Sequence, residues 1–296
     1  MPYRNSHPAR PTLVICLALL SLMALPRFSH AKDTLIWLLR DLPPSTIFSG
    51  PDEGKGAVDR LMPLLIARMP EYDHLLMRVN RARGMQMLKE GVFACDPTLL
   101  WKQERTKSIV FSIPTFAAFS NGLIVRQQDM AQFTPYVERG LVDLDAVLKS
   151  NTVKIGVVAE RSYGLVIDQI LSKVADDELS MHYGGDAVGS LLQMERLGRL
   201  QGLISYWPEA LYQARQQGIP EQDLVFLPVK GAPKYQLTHI GCSNTAQGRQ
   251  AMEIINREMR ILRETKLVGF YAQWLPPSKR EEYLEDAKTF FEKPGM

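Results

Sequence analysis

The chain reads as an α/β protein built in two lobes, each a sheet with helices packed on its faces. Short apolar runs alternate with longer amphipathic patterns almost throughout, which is the rhythm of strands covered by helices. The alternation also makes a fresh start near residue 154, and a break at Pro228, Gly231 and Pro233 precedes one last extended run and a helical tail.

Taken in order, residues 35–39 (LIWLL) form a first strand, 57–68 an amphipathic helix and 75–79 a second strand. Residues 81–89 form a helix stopped by Gly91, and 92–95 a third strand. After a loop carrying Arg105, residues 109–111 and 122–125 are extended. The second series runs strand 154–158, helix 163–172, strand 179–183, helix 187–197, strand 202–204, helix 209–216 and strand 224–227. An extended segment 236–242 and helices over 247–263, 266–274 and 279–291 complete the chain.

The N-terminus carries Arg4 and Arg10, then an uncharged run over residues 12–25, then Pro26 and the small-residue site Ser29-His30-Ala31. That is the charged, apolar, cleavable order of a secretory signal. At 14 residues the run is shorter than the roughly 18 that a membrane span needs. Residues 1–31 are therefore expected to be a signal peptide cleaved after Ala31, delivering residues 32–296 to the periplasm, with an uncleaved anchor as the alternative. Cys16 has no small residue before it, which argues against a lipid anchor. No second apolar run reaches membrane length, so the mature protein is not expected to span one.

Losing that segment removes three of the 35 basic residues and none of the 32 acidic ones, leaving the two counts equal. A balanced mature chain gives no reason to expect a nucleic-acid partner. Of three cysteines, Cys95 and Cys242 lie beyond the signal; an oxidising compartment favours a bridge between them, and two buried thiols are the alternative. Histidines are few, with no HExxH, so no metal is expected. GxSxG, GxxxxGK[ST] and GxGxxG are all absent, and no cofactor is expected either.

Three segments carry chemistry. Arg105 stands on a loop six residues ahead of a short strand ending at Phe111, where an arginine can grip a carboxylate with two parallel hydrogen bonds; a solvated surface arginine is the alternative. In IGVVAERSYGLVID, a β-branched strand runs into Ser162 and a helix start, an anion site or a plain N-cap, with Arg161 beside it favouring the anion. The segment Ser205-Tyr206-Trp207-Pro208-Glu209 ends a strand, where open α/β sheets bind ligands; packing between strand and helix would also use its aromatics.

In order and spacing these segments resemble the family 3 bacterial extracellular solute-binding proteins, the periplasmic amino-acid-binding type, over nearly all of the chain after residue 31. WLLRDLPPSTI stands where the family has a strand and a Tyr-x-Pro-Phe-like loop, and GKGAVDRLMPLLIARMP where it has a glycine before an acidic helix. NRARGMQMLKEG, KQERTKSIVFS and IGVVAERSYG follow in family order, the second in the place of its T-x-E-R-x-x-x-[VIF]-x-F-S pattern. The resemblance implies the two-lobed type II periplasmic-binding-protein fold, with hinges near 115–120 and 231–236. By it, lobe 1 is 32–116 plus 237–296 and lobe 2 is 117–236. It implies that Arg105 binds a ligand carboxylate, that the Ser162 hydroxyl assists from the second lobe, and that Thr98 is a further hydroxyl contact.

The family aspartate that receives a ligand ammonium corresponds to Tyr206, and its sandwiching aromatics to Leu42 and Asn80. A neutral phenol cannot serve as counter-ion to a buried ammonium, so an α-amino acid fits only if Glu209 supplies the charge. Arg83, Arg105 and Arg161 facing the cleft together would favour an acid with more than one anionic group, whereas Arg83 and Arg161 on the surface would not. The expected function is a monomeric solute-binding protein that captures a small carboxylate-bearing solute for ABC-type uptake through an inner-membrane permease. The alternatives are sensing on behalf of a membrane-bound signalling protein, or a dehydratase-like enzyme with Glu209 or Glu160 as its acid.

Overall fold

The computed structural model describes residues 1–3, 32–175, 179–184 and 186–292. The expected signal segment and its cleavage site lie outside the described residues. The chain forms two compact units, Met1–Asp33 and Thr34–Met296, and the second contains both sheets.

The first sheet opens with β1 (Thr34–Leu39), followed by α1 (Ala57–Ile66), β2 (Asp73–Arg78), α2 (Arg81–Lys89), β3 (Ala94–Leu100), β4 (Ile109–Phe111) and β5 (Phe116–Phe119). Leu35, Trp37 and Leu38 are fully buried, which is why LIWLL shows no alternation: β1 is covered on both faces and flanked by parallel β2 and β3. Asp59 fixes the start of α1 by accepting hydrogen bonds from the Gly56 and Ile47 amides at 3.0 and 2.9 Å. Asn80 caps α2 by accepting from the Arg83 amide at 2.8 Å.

The chain then builds a second sheet, from β6 (Gly122–Arg126), α3 (Met130–Phe133), the small hairpin β7 (Val137–Glu138) and β8 (Leu141–Val142), and α4 (Leu144–Lys149). β9 (Ile155–Val158), α5 (Leu165–Leu171), β10 (Leu179–His182), α6 (Ala187–Arg196), β11 (Gly202–Ser205), α7 (Trp207–Gln216) and β12 (Leu224–Pro228) follow. Its order is β10-β9-β11-β6-β12, with β9, β10 and β11 parallel and β6 antiparallel to both its neighbours. The chain returns as β13 (Tyr235–Ser243), α8 (Ala246–Leu262), a π-helical turn, α9 (Val268–Ala272) and α10 (Pro277–Ala287). β13 inserts between β3 and β4, completing the order β2-β1-β3-β13-β4, and also pairs with β5. Each sheet has its own core, one around Trp37, Leu61, Tyr271 and Tyr283, the other around Leu123, Phe133, Ile155 and Ile204.

Three of the differences from the sequence expectation bear on the cleft. The third strand runs to Leu100 because β13 pairs with both its ends, Thr238 opposite Leu100 and Cys242 opposite Cys95, across a bulge between His239 and Gly241. Residues 116–119, expected as hinge, form β5 on β13, so the chain leaves the first sheet only after Phe119 and rejoins it at Tyr235. The helix expected from 163 begins at Leu165, because Gly164 adopts φ 98 and lies so close to Gln236 that a Cβ would meet its Nε2 at 1.8 Å. Cys95 and Cys242, directly opposed with Cα atoms 4.0 Å apart, form a disulfide.

Candidate ligand cleft

One cavity of about 40 Å³ lies where the two sheets face one another, and Arg105, Thr98, Arg161, Ser162 and Tyr206 all line it. A water needs roughly 10–15 Å³ on the same measure, so the cleft is narrow. Leu42, Pro44, Phe116 and Tyr271 give it an apolar wall. A second cavity adjoins it, sharing Leu42, Pro43, Arg81, Arg161 and Glu209, and adds Asn80, Asp41 and Asp186. Leu42 and Asn80, the positions of the family's aromatics, therefore do border the cavities, without rings.

Arg105 comes from the loop after β3. Among the described residues its guanidinium donates only to carbonyls, Nη1 to Leu100 at 3.3 Å and Nη2 to Glu160 at 3.5 Å. Burial holds it below the usual guanidinium range; Asp168 and Asp96 act against that shift and Arg40 with it. Thr98 does not have a free hydroxyl. Its oxygen accepts from Arg40 Nη2 at 2.6 Å and its proton goes to Asp96 at 3.3 Å. The floor beneath it is a buried fork, Arg40 Nε to Asp96 Oδ2 at 2.9 Å and Nη2 to Oδ1 at 3.1 Å. Burial works to raise the Asp96 carboxyl, but Arg40 overcomes it and holds the group below the ordinary carboxylate range.

The second sheet changes two of the expected roles. Arg161 is neither on the surface nor free for a ligand: it forms a two-pronged ion pair with Glu209, one contact at 3.1 Å, and the two side chains are only 4% and 6% exposed. Ser205 donates a further 3.0 Å bond to Glu209. Glu209 is thereby committed to Arg161 and is not the spare counter-ion that a ligand ammonium would need. Tyr206 faces the cavity with the Arg161 guanidinium carbon 5.1 Å from its ring centroid.

Ser162 also differs from expectation. Its hydroxyl donates to Asp168 Oδ2 at 2.6 Å, while Asp168 Oδ1 accepts the Tyr163 amide at 2.7 Å. The anion site foreseen at this helix start is filled by the protein's own carboxylate. Lys102, from the loop before Arg105, reaches across to the same carboxylate at 3.1 Å and ties the loop after β3 to α5. Where the chain crosses between sheets, Asn121 donates to Gln236 at 3.0 Å and Gln236 donates to the Tyr163 carbonyl, so both crossings brace the Ser162 loop.

Arg83 does not reach the cleft. It is exposed on α2 and its Nη1 contacts Gln86 at 3.4 Å. Residues two apart on a helix point to opposite sides, and the inward side here is that of Arg81, Met85 and Leu88, spaced i, i+4, i+7. Arg81, which lines both cavities, is the residue that sequence reasoning missed, although that spacing was a usable signal. Among the described residues its guanidinium has no hydrogen bond or ion pair. Burial and the like charges of Arg40, Arg161 and Arg105 press its pKa well below the ordinary value, with Asp96 opposing. Asp41 and Asp186 were missed as well, and burial raises both carboxyls.

Among the described residues no group of three or more His, Cys, Asp or Glu could hold a metal ion, and no helix is long and apolar enough to cross a membrane.

No protein-family model matches the chain, and no curated protein sequence does. Solved structures do. A histidine kinase sensor domain with similarity to periplasmic binding proteins aligns at TM-score 0.64 and 14% identity, covering 83% of this chain and 96% of its own. The chain has the type II periplasmic-binding-protein fold. The amino acid ABC transporter substrate-binding protein AbpA of Streptococcus pneumoniae, bound to L-arginine, aligns at TM-score 0.59 and 15% identity over 82% of this chain and 94% of its own. The ancestral amino acid-binding protein AncCDT-1, a precursor of cyclohexadienyl dehydratase, aligns at 0.61 and 14% over 82% and 95%. The resemblance seen in the motifs thus holds at the level of the fold.

Proposed function

We propose that this protein is a periplasmic solute-binding protein that closes around a small carboxylate-bearing solute, with Arg105 as the carboxylate anchor. The observation that carries this reading is a guanidinium lining the narrow interlobe cavity with carbonyls as its only hydrogen-bond acceptors among the described residues. A carboxylate offers such a group the two-pronged, charge-assisted partner that a carbonyl does not. Thr98 holds the floor through Arg40 and Asp96, and Ser162 holds the second-lobe loop through Asp168, so both act by positioning. Closure would follow the differential affinity of the solute for the closed form.

The lobes are assigned as residues 32–116 with 237–296 and residues 117–236, with the pairing of β5 and β13 carrying the two boundaries to Phe119 and Tyr235 and leaving the hinge to the crossings just beyond them. Delivery of the solute to an inner-membrane permease is the principal reading. The similarity to a histidine kinase sensor domain favours, as a second reading, signalling to a membrane-bound partner. Arg105→Ala should cost roughly 2–5 kcal/mol of carboxylate binding, measured by calorimetry with the carboxylate that most raises the melting temperature in a screen. Undiminished affinity would remove Arg105 from the site.

A further inference from the structure

The cleft brings four guanidiniums together, and they differ in how they are neutralised. Arg40 is matched by Asp96 and Arg161 by Glu209, each through two hydrogen bonds. Among the described residues Arg105 has only carbonyl acceptors and Arg81 has none. The two unmatched cations line the same cavity, from different elements of the first lobe, the loop after β3 and the first turn of α2.

We infer that Arg81 forms a second anion subsite beside Arg105, and that the solute is a compact acid with two anionic groups and no α-ammonium. This rests on the carboxylate-binding reading and deepens it. A half-buried guanidinium without a counter-ion is costly, and an anion delivered by the ligand removes that cost. The like-charge pressure on Arg81 agrees, since Arg105 is among the groups that depress it. The main cavity's lone carboxylate among the described residues, Glu209, is already paired, and Tyr206 stands where an ammonium would need a charge. The wall of the cavity they share is apolar, from Leu42, Pro44, Phe116 and Tyr271, and suits the short carbon chain of a compact diacid.

The test is calorimetric titration of the full mature chain with glutarate, butyrate and L-glutamate, repeated on Arg81→Met and Arg105→Ala. Glutarate should bind wild type roughly tenfold to a hundredfold more tightly than butyrate, the effect of one additional charged hydrogen-bonded contact. Arg81→Met should erase that preference while leaving butyrate affinity in place, and Arg105→Ala should weaken both ligands. Glutamate should bind less tightly than glutarate. Equal affinities for glutarate and butyrate, or an unchanged preference in Arg81→Met, would overturn the second subsite while leaving the carboxylate reading intact. Tighter binding of glutamate would overturn it too, and would direct the ammonium to Asp41 and Asp186 in the adjoining cavity. Loss of neither ligand in Arg105→Ala, or no binding of any of the three, would overturn both readings.

Discussion

Replacing Glu209 by Gln separates the cost of a buried ion pair from its use. The pair is almost wholly enclosed, with side-chain exposures of 4% for Arg161 and 6% for Glu209, and it is two-pronged. Glutamine keeps the shape and one acceptor but turns its amide towards a guanidinium that also donates. Arg161 then stands buried without a counter-ion, which costs about 3–5 kcal/mol. Exposed pairs of the same kind contribute under about 1 kcal/mol, so the predicted size itself reports burial. With a urea slope of about 3 kcal/mol per molar, the unfolding midpoint should fall by about 1 M or more at neutral pH. The same variant releases a third guanidinium into the cleft, so a carboxylate ligand should restore more stability to it than to wild type. Circular dichroism during urea titration, with and without glutarate, reads both effects. A midpoint equal to that of wild type would refute the claim that Arg161 depends on Glu209, and with it the count of free cations in the cleft.

Two further outcomes concern stability. Burial pushes the Glu195 carboxyl up to about 8, against the pull of Arg126, and its Oε1 has no hydrogen-bond partner among the described residues. The folded form then holds a proton that the unfolded chain, with its value near 4.5, releases, so stability should fall by up to about 1.4 kcal/mol per unit as pH rises from 4.5 towards 8. Glu195→Gln should flatten that window in melting curves, and a parallel profile would show that Glu195 is not the titrating group. Replacing Cys95 and Cys242 together by Ala opens a link between positions 147 residues apart and should cost about 2–5 kcal/mol; an unchanged melting temperature would contradict a bridge that constrains the chain.

Much of the fold was legible because periodicity is local. The LIWLL run, the helix closing on Gly91 and the restart near residue 154 all declare themselves within a dozen residues. β5 was not legible, since the FAAF segment becomes a strand only when β13 returns from more than a hundred residues away to pair with it. The site divides in the same way. Arg105 could be picked out from its place ahead of a short strand, but the fate of Arg161 is decided by Glu209, 48 residues later in the chain. The Ser162 hydroxyl is committed as a donor to Asp168, only six residues on, a local contact hidden by an expected helix start at residue 163. For Arg83 the surface alternative holds, and the helix phase set by Met85 and Leu88 puts Arg81, two residues earlier, on the inward side.

On the proposed solute-binding reading, the bond from Lys102 to Asp168 changes what is asked of a solute. In a jaw whose halves meet only through the captured molecule, the cargo must be long enough to touch both sides. Here the upper and lower teeth already mesh through groups that the protein owns, so the morsel can be shorter than the gape. Selection then falls on what fits and neutralises the chamber, and tightness of grip becomes sensitive to dissolved salt, which loosens a clasp placed at the mouth.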